Sequence, residues 1–137
     1  MTSTSTHGAV AWFEIATDNA TGAREFYGPL LGWEFVDESD RTALIALQGP
    51  EAVRIITELA GEEPPARFHV GEARLDEQVP VILARTGYTG EDGVEILCHS
   101  SHAVAVWRFL MSFPEVTPCG RGARAQLRRE RGYGPDG

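Results

Sequence analysis

Between two apolar runs, residues 79–86 and 94–98, the chain places glycine at 87, 90 and 93. Three glycines in seven residues permit positive φ and close backbone approach. They turn the chain back on itself, so the flanking runs read as the strands of a hairpin. The segment Ala84-Arg-Thr-Gly-Tyr-Thr-Gly-Glu-Asp-Gly-Val-Glu-Ile96 also gathers a tyrosine ring and three carboxylates. Such a set suits a flat, amino-bearing heterocycle, which needs an aromatic face to lie on and a carboxylate to accept paired N–H donors. The same residues also make a tight hairpin with solvated acids and no ligand. The residue pattern leaves both readings open.

The hairpin sits in an alternation of strands and helices. Residues 10–17 are β-branched and aromatic enough for a strand. Asp18 and Asn19 offer an N-cap for a helix over 20–31, with Ala23, Phe26, Tyr27 and Leu30 on one stripe. Pro29 disturbs its last turn and Gly32 suits its exit. Residues 33–36 return as a short strand, closing a β-α-β unit. A strand over 42–48 is broken by Gly49-Pro50 and followed by a helix over 51–59, with Val53, Ile56 and Leu59 inward. Strands over 67–75 and 79–86 flank the turn 76–78. Ser101 is placed to cap a helix over 102–111, with Val104, Trp107, Phe109 and Leu110 in the core. Residues 116–117 read as a short strand, 120–122 as a loop and 123–131 as an arginine-rich helix. Residues 1–9 and 134–137 read as tails. The expectation is an α+β layered sandwich, a mostly antiparallel sheet with helices on one face, in one compact domain.

Charge narrows the function classes. The 137 residues carry a net charge of −8, and every one of the twelve basic residues is arginine. Without lysine there is no Schiff base and no P-loop lysine. Residues 1–120 hold seven arginines against eighteen acids, a balance of −11; residues 121–137 hold five against two, a balance of +3. A surface this acidic repels nucleic acid, while the basic end attracts an anion. No apolar run is long enough for a membrane helix, and the opening Met-Thr-Ser-Thr-Ser-Thr lacks the marks of a secretory signal. Cys98 and Cys119 make neither a disulfide scaffold nor a zinc site. A reduced, cytoplasmic setting is expected. His99 and His102 stand three apart beside Cys98, and His69 stands alone; without a further partner they make no metal site, and no metal is expected.

Residues 41–133 resemble the middle part of the glycine cleavage system T-protein family, the folate-dependent aminomethyltransferases. The matching pieces are Ala43-Leu-Ile-Ala-Leu-Gln-Gly-Pro50, the glycine-rich segment 84–96 and Pro118-Cys-Gly-Arg-Gly-Ala-Arg124, extended by Arg128, Glu130, Gly132 and Tyr133. The resemblance implies a tetrahydrofolate site. It implies that Tyr88 flanks the folate, Glu95 holds the pterin edge and Arg124 meets the glutamate-tail side. It also implies departures. The family's catalytic aspartate falls in an N-terminal region without a counterpart here, its C-terminal barrel has none either, and Arg121 and Ala125 replace an apolar residue and an acid. Glu91 and Asp92 are the only candidates for a general acid.

Residues 10–36 resemble a different family. Trp12-Phe-Glu-Ile-Ala-Thr-Asp18, Ala23-Arg-Glu-Phe-Tyr27 and Leu30-Leu-Gly-Trp-Glu-Phe35 are similar to the first β-α-β of the glyoxalase/bleomycin-resistance superfamily. There the family's first metal ligand falls on Ala11, which cannot bind metal, and Glu14 is alone. The chain thus reads as a composite with ferredoxin-like β-α-β units. Three functions follow: a folate-binding, T-protein-like domain; a non-catalytic composite or engineered scaffold; or a glyoxalase-like small-molecule binding protein, which pairs as a homodimer.

Overall fold

A computed structural model describes residues 19–35, 37 and 40–132. The chain divides into two compact units, Met1–Glu38 and Ser39–Gly137. The expected strand over 10–17 and the two tails lie outside the described residues.

In the first unit, helix α1 spans Ala20–Leu31. Asn19 caps it, its Oδ1 accepting the Gly22 N–H at 2.9 Å. Pro29 sits inside the last turn without ending it, and Gly32 leaves in the left-handed region, φ 67°. That exit turns residues 33–35 back along the helix, where the Tyr27 and Trp33 rings stack at 6.5 Å and Trp33 meets Phe35 edge-on at 6.2 Å. Trp33, Glu34 and Phe35 therefore form no strand. Their aromatic pattern is ring packing on α1, and no ladder partner stands beside them among the described residues.

The second unit holds a four-stranded sheet: β1 (Thr42–Gln48), β2 (Val70–Leu75), β3 (Val79–Ala84) and β4 (Gly93–His99), in the order β1-β4-β3-β2. Every neighbouring pair is antiparallel. Helix α2 (Ala52–Ala60) carries the chain from one edge strand to the other. Strand alternation puts one residue set on a shared face. Ile45 lies opposite Ile96 and Leu47 opposite Val94, while Leu83 meets Ile96 and Val81 meets Cys98. Helices α2 and α3 (Ala103–Met111) cover that face, and the core closes on Ile55, Ile56, Val106 and Leu110. The α+β layered sandwich expected from the sequence is the fold observed.

Details differ from the sequence reading for physical reasons. The inward stripe of α2 is Ala52, Ile55 and Ile56; Leu59 is half-buried and Val53 lies at the stripe's margin. A 3-10 turn, Ser100–His102, precedes α3, and His99 rather than Ser101 caps it through Nδ1. The inward stripe of α3 is then Ala103, Val106 and Leu110, so Val104 and Trp107 face out, 61% and 45% exposed. Val116 and Thr117 form no strand; the Val116 N–H turns back to the Phe113 carbonyl. Helix α4 (Arg121–Glu130) starts at Arg121 with Gly120 as its N-cap, so 121 and 122 are helical, not loop. No helix of the described residues is long and apolar enough to cross a membrane.

Candidate functional site

The glycine-rich loop joins β3 to β4, and one side chain organises it. Gln48, at the end of β1, donates from Nε2 to the carbonyls of Thr86 and Val94, at 3.1 and 3.2 Å. Its Oε1 takes the Thr89 hydroxyl at 3.4 Å. A Cβ at Gly87 would collide with the Gln48 amide, and one at Gly93 with the Leu47 carbonyl and the Gln48 backbone. Gly90 has φ 77°, where only glycine is comfortable. Two of the three glycines thus make room for β1 and its terminal side chain, and the third makes the turn. In the sequence Gln48 stands out only as part of the 43–50 motif and the end of a strand. Its role was not legible because its partners lie 38 to 46 residues away.

The acids of the loop are engaged. Arg85 clamps Asp92 with Nε to Oδ1 at 3.1 Å and Nη2 to Oδ2 at 2.8 Å. The hydrogen bond from Arg85 holds the Asp92 carboxyl below its ordinary range; the Gly93 N–H and the nearby Arg67 charge act in the same direction, against the desolvation of partial burial. Arg85 thus holds both Asp92 oxygens, and the pair serves as a latch for the loop. Glu91 pairs with Arg131.

Tyr88 is 36% exposed. The guanidinium carbons of Arg124 and Arg128 stand 5.8 and 5.5 Å from its ring centroid, within cation–π range. Arg128 also donates to the Tyr88 carbonyl at 3.2 Å. Both arginines come from α4, one turn apart. Glu95 lies within β4, opposite Ala46 and Ala84, only 8% exposed. Its Oε2 accepts the Thr86 hydroxyl at 2.5 Å. Tyr88 and Arg124 are thus brought together, while Glu95 joins the loop through Thr86.

A cavity of about 300 Å³ lies along β1, bounded by α3, residues 115–119 and α4. Gln48, Thr89 and Arg124 line it; Tyr88 and Glu95 do not. Burial pushes the Cys98 thiol up, and Cys119 is exposed. His99 Nδ1 and Ser101 Oγ are 2.8 Å apart, and His102 Nδ1 is buried without a partner. Among the described residues no three His, Cys, Asp or Glu side chains gather as a metal site.

The GCVT N-terminal domain family matches residues 1–135. An aminomethyltransferase of Synechococcus sp. (strain CC9311) is 41% identical over 109 residues, covering 75% of this chain and 29% of the relative. One of Synechococcus sp. (strain RCC307) is 46% identical over 108 residues, with 74% and 30% covered. One of Bacillus pumilus (strain SAFR-032) is 46% identical over 99 residues, with 67% and 27% covered. The chain spans less than a third of the length of these relatives.

Proposed function

The chain belongs to the GCVT N-terminal domain family, and from that premise we propose that it binds tetrahydrofolate through Tyr88, Glu95 and Arg124. The observation that carries the reading is the Tyr88 ring, one-third exposed and flanked by two guanidiniums of α4. A folate is a flat heterocycle with an anionic tail. Tyr88 offers it a ring face. Arg124, with no ion pair among the described residues, offers the tail a planar fork of donors. Glu95 offers the pterin edge a carboxylate whose orientation is held by Thr86. Bound folate supplies the nitrogen that carries the one-carbon unit, and the protein's part is to hold and orient it. The Arg85–Asp92 latch and Gln48 keep the loop in shape for that task. The family match continues through residues 10–36, so no separate metal chemistry is proposed for that segment. Aminomethyl transfer by this chain is a further step that binding alone does not supply.

Titration with tetrahydrofolate or its 5-formyl derivative tests the reading. Saturable binding is expected, weakened about tenfold or more in Glu95→Ala through loss of a hydrogen-bonded charge. Absence of binding at millimolar ligand, or binding unchanged in Glu95→Ala, leaves the motifs as turn and packing chemistry in a scaffold.

A further inference from the structure

Among the described residues, Phe68, Asp76 and Glu77 are the non-glycine positions with positive φ, at 64°, 51° and 58°. Asp76 and Glu77 lie in the turn between β2 and β3, where such a backbone closes a tight hairpin. Phe68 lies just before β2. The His69 N–H bonds to the Ala66 carbonyl at 3.0 Å, so Phe68 is the third residue of a turn. The Phe68 N–H also donates to the Arg85 carbonyl, and the Arg85 N–H to the His69 carbonyl, each at 3.0 Å. Two residues of one strand thus oppose one residue of the next, beyond the last regular pair, Val70 with Ala84. This is a β-bulge whose first position is ordinarily a glycine in the left-handed region. A bulky residue there is strained, and main-chain bonds on both sides hold it so. Phe68 regains nothing by packing, being 83% exposed.

We infer that Phe68 is a binding residue of the folate site, its ring packing on the pterin beside Glu95. The inference rests on the folate reading above and adds a second ring to it. The bulge lies against Arg85, next to Thr86, whose hydroxyl bonds to Glu95. Ala84 and Glu95 are opposite in register, and alternation along β3 returns Thr86 to their face. The other face is filled at this end. Gly71 lies opposite Leu83 of the core, Pro65 packs where a Gly71 Cβ would be, and Arg85 donates to the Pro65 carbonyl at 3.3 Å. A residue 83% exposed is no part of that packing, so its ring belongs to the Glu95 side. Tyr88 stands with α4, whose Arg124 lines the cavity along β1, and Phe68 stands at the β2 side. A pterin has an N–H edge for a carboxylate and flat faces for rings. Bulges beside binding sites serve to re-aim a side chain in this way.

Two variants of the full chain test this with 5-formyltetrahydrofolate. Phe68→Asn removes the ring and keeps a residue that tolerates the left-handed backbone; Phe68→Tyr keeps the ring. The Asn variant is expected to have a urea midpoint no lower than wild type and to bind about tenfold more weakly. The Tyr variant is expected to bind within about twofold of wild type. In NMR spectra of the wild-type complex, the Phe68 ring is expected to show NOEs to the pterin protons and none to the glutamate protons. A wild type that binds no ligand at millimolar concentration overturns the folate reading and this inference with it. Where the wild type binds, this inference alone is overturned by unchanged affinity in Phe68→Asn, by a loss that comes with a lowered midpoint, by NOEs to the tail only, or by self-association on a sizing column that Phe68→Asn abolishes.

Discussion

At the residue scale, the glycine-rich loop rests on Gln48. A methyl group at Gly87 would meet only the far end of that side chain, which can move if its two bonds to Thr86 and Val94 are given up. The expected cost of Gly87→Ala is then the worth of those bonds, about 1–3 kcal/mol. Gln48→Ala loses the same bonds and costs a similar amount. The double substitution should cost little more than either alone, because one cause is counted twice. Gly93→Ala behaves differently. Its methyl group would press on the Leu47 carbonyl, which is backbone, so Gln48→Ala gives no relief. Chemical denaturation of five variants, the double Gly93→Ala with Gln48→Ala included, checks both statements. Additive costs at 87 and 48 would show that the contact is not shared.

At the element scale, α4 is the piece most dependent on its surroundings. It is ten residues long with no buried residue, and its first turn has no side-chain cap. Helices that short are marginal alone in water. What holds it is the loop: Tyr88 under Arg124 and Arg128, and Glu91 with Arg131. Tyr88→Ala is expected to speed amide exchange across residues 121–130 by about tenfold, with the slow amides of β3 and β4 unchanged. Uniform acceleration through the sheet would mean that loop and helix are not a separable unit. The same contrast explains what was legible in the sequence. β1, β3 and β4 were readable because each is a short run rich in apolar and β-branched residues, and α1 because Asn19 and Gly32 mark both its ends. Trp33–Phe35 and Val116–Thr117 carry strand-forming residues, yet local ring packing and a turn at Phe113 won over propensity. Tyr88 and Arg124 could be singled out from motifs. Gln48, whose contacts join residues far apart in the chain, could not.

At the scale of the whole molecule, stability is unevenly placed, and acid exposes the difference. The described residues of the first unit include none that is buried, whereas the buried core of the described residues lies in the second unit. Within that second unit the Arg85–Asp92 latch ties β3 to the start of β4, and Arg85 also donates to the Pro65 carbonyl at 3.3 Å. The Asp92 carboxyl is held below its ordinary range, chiefly by the Arg85 hydrogen bond. An acid whose folded value is depressed binds fewer protons native than unfolded, so stability rises with pH across the interval between the two values. Its contribution is whole above the ordinary aspartate value, about 3.9, and is lost as pH falls from there through the lower folded value. The Asp92 side chain is 37% exposed, so solvent screening keeps the pair near about 1 kcal/mol. Nineteen other acids also titrate in this chain, so acid unfolding of the wild type alone does not isolate the latch. The difference from Asp92→Asn does. That gap is expected to be constant between about pH 5 and 8 and to close below about pH 4. Denaturant midpoints at several pH values measure it. A gap that persists at low pH would mean that the latch acts through its neutral hydrogen bonds, and that the charge on Asp92 contributes nothing to holding the loop.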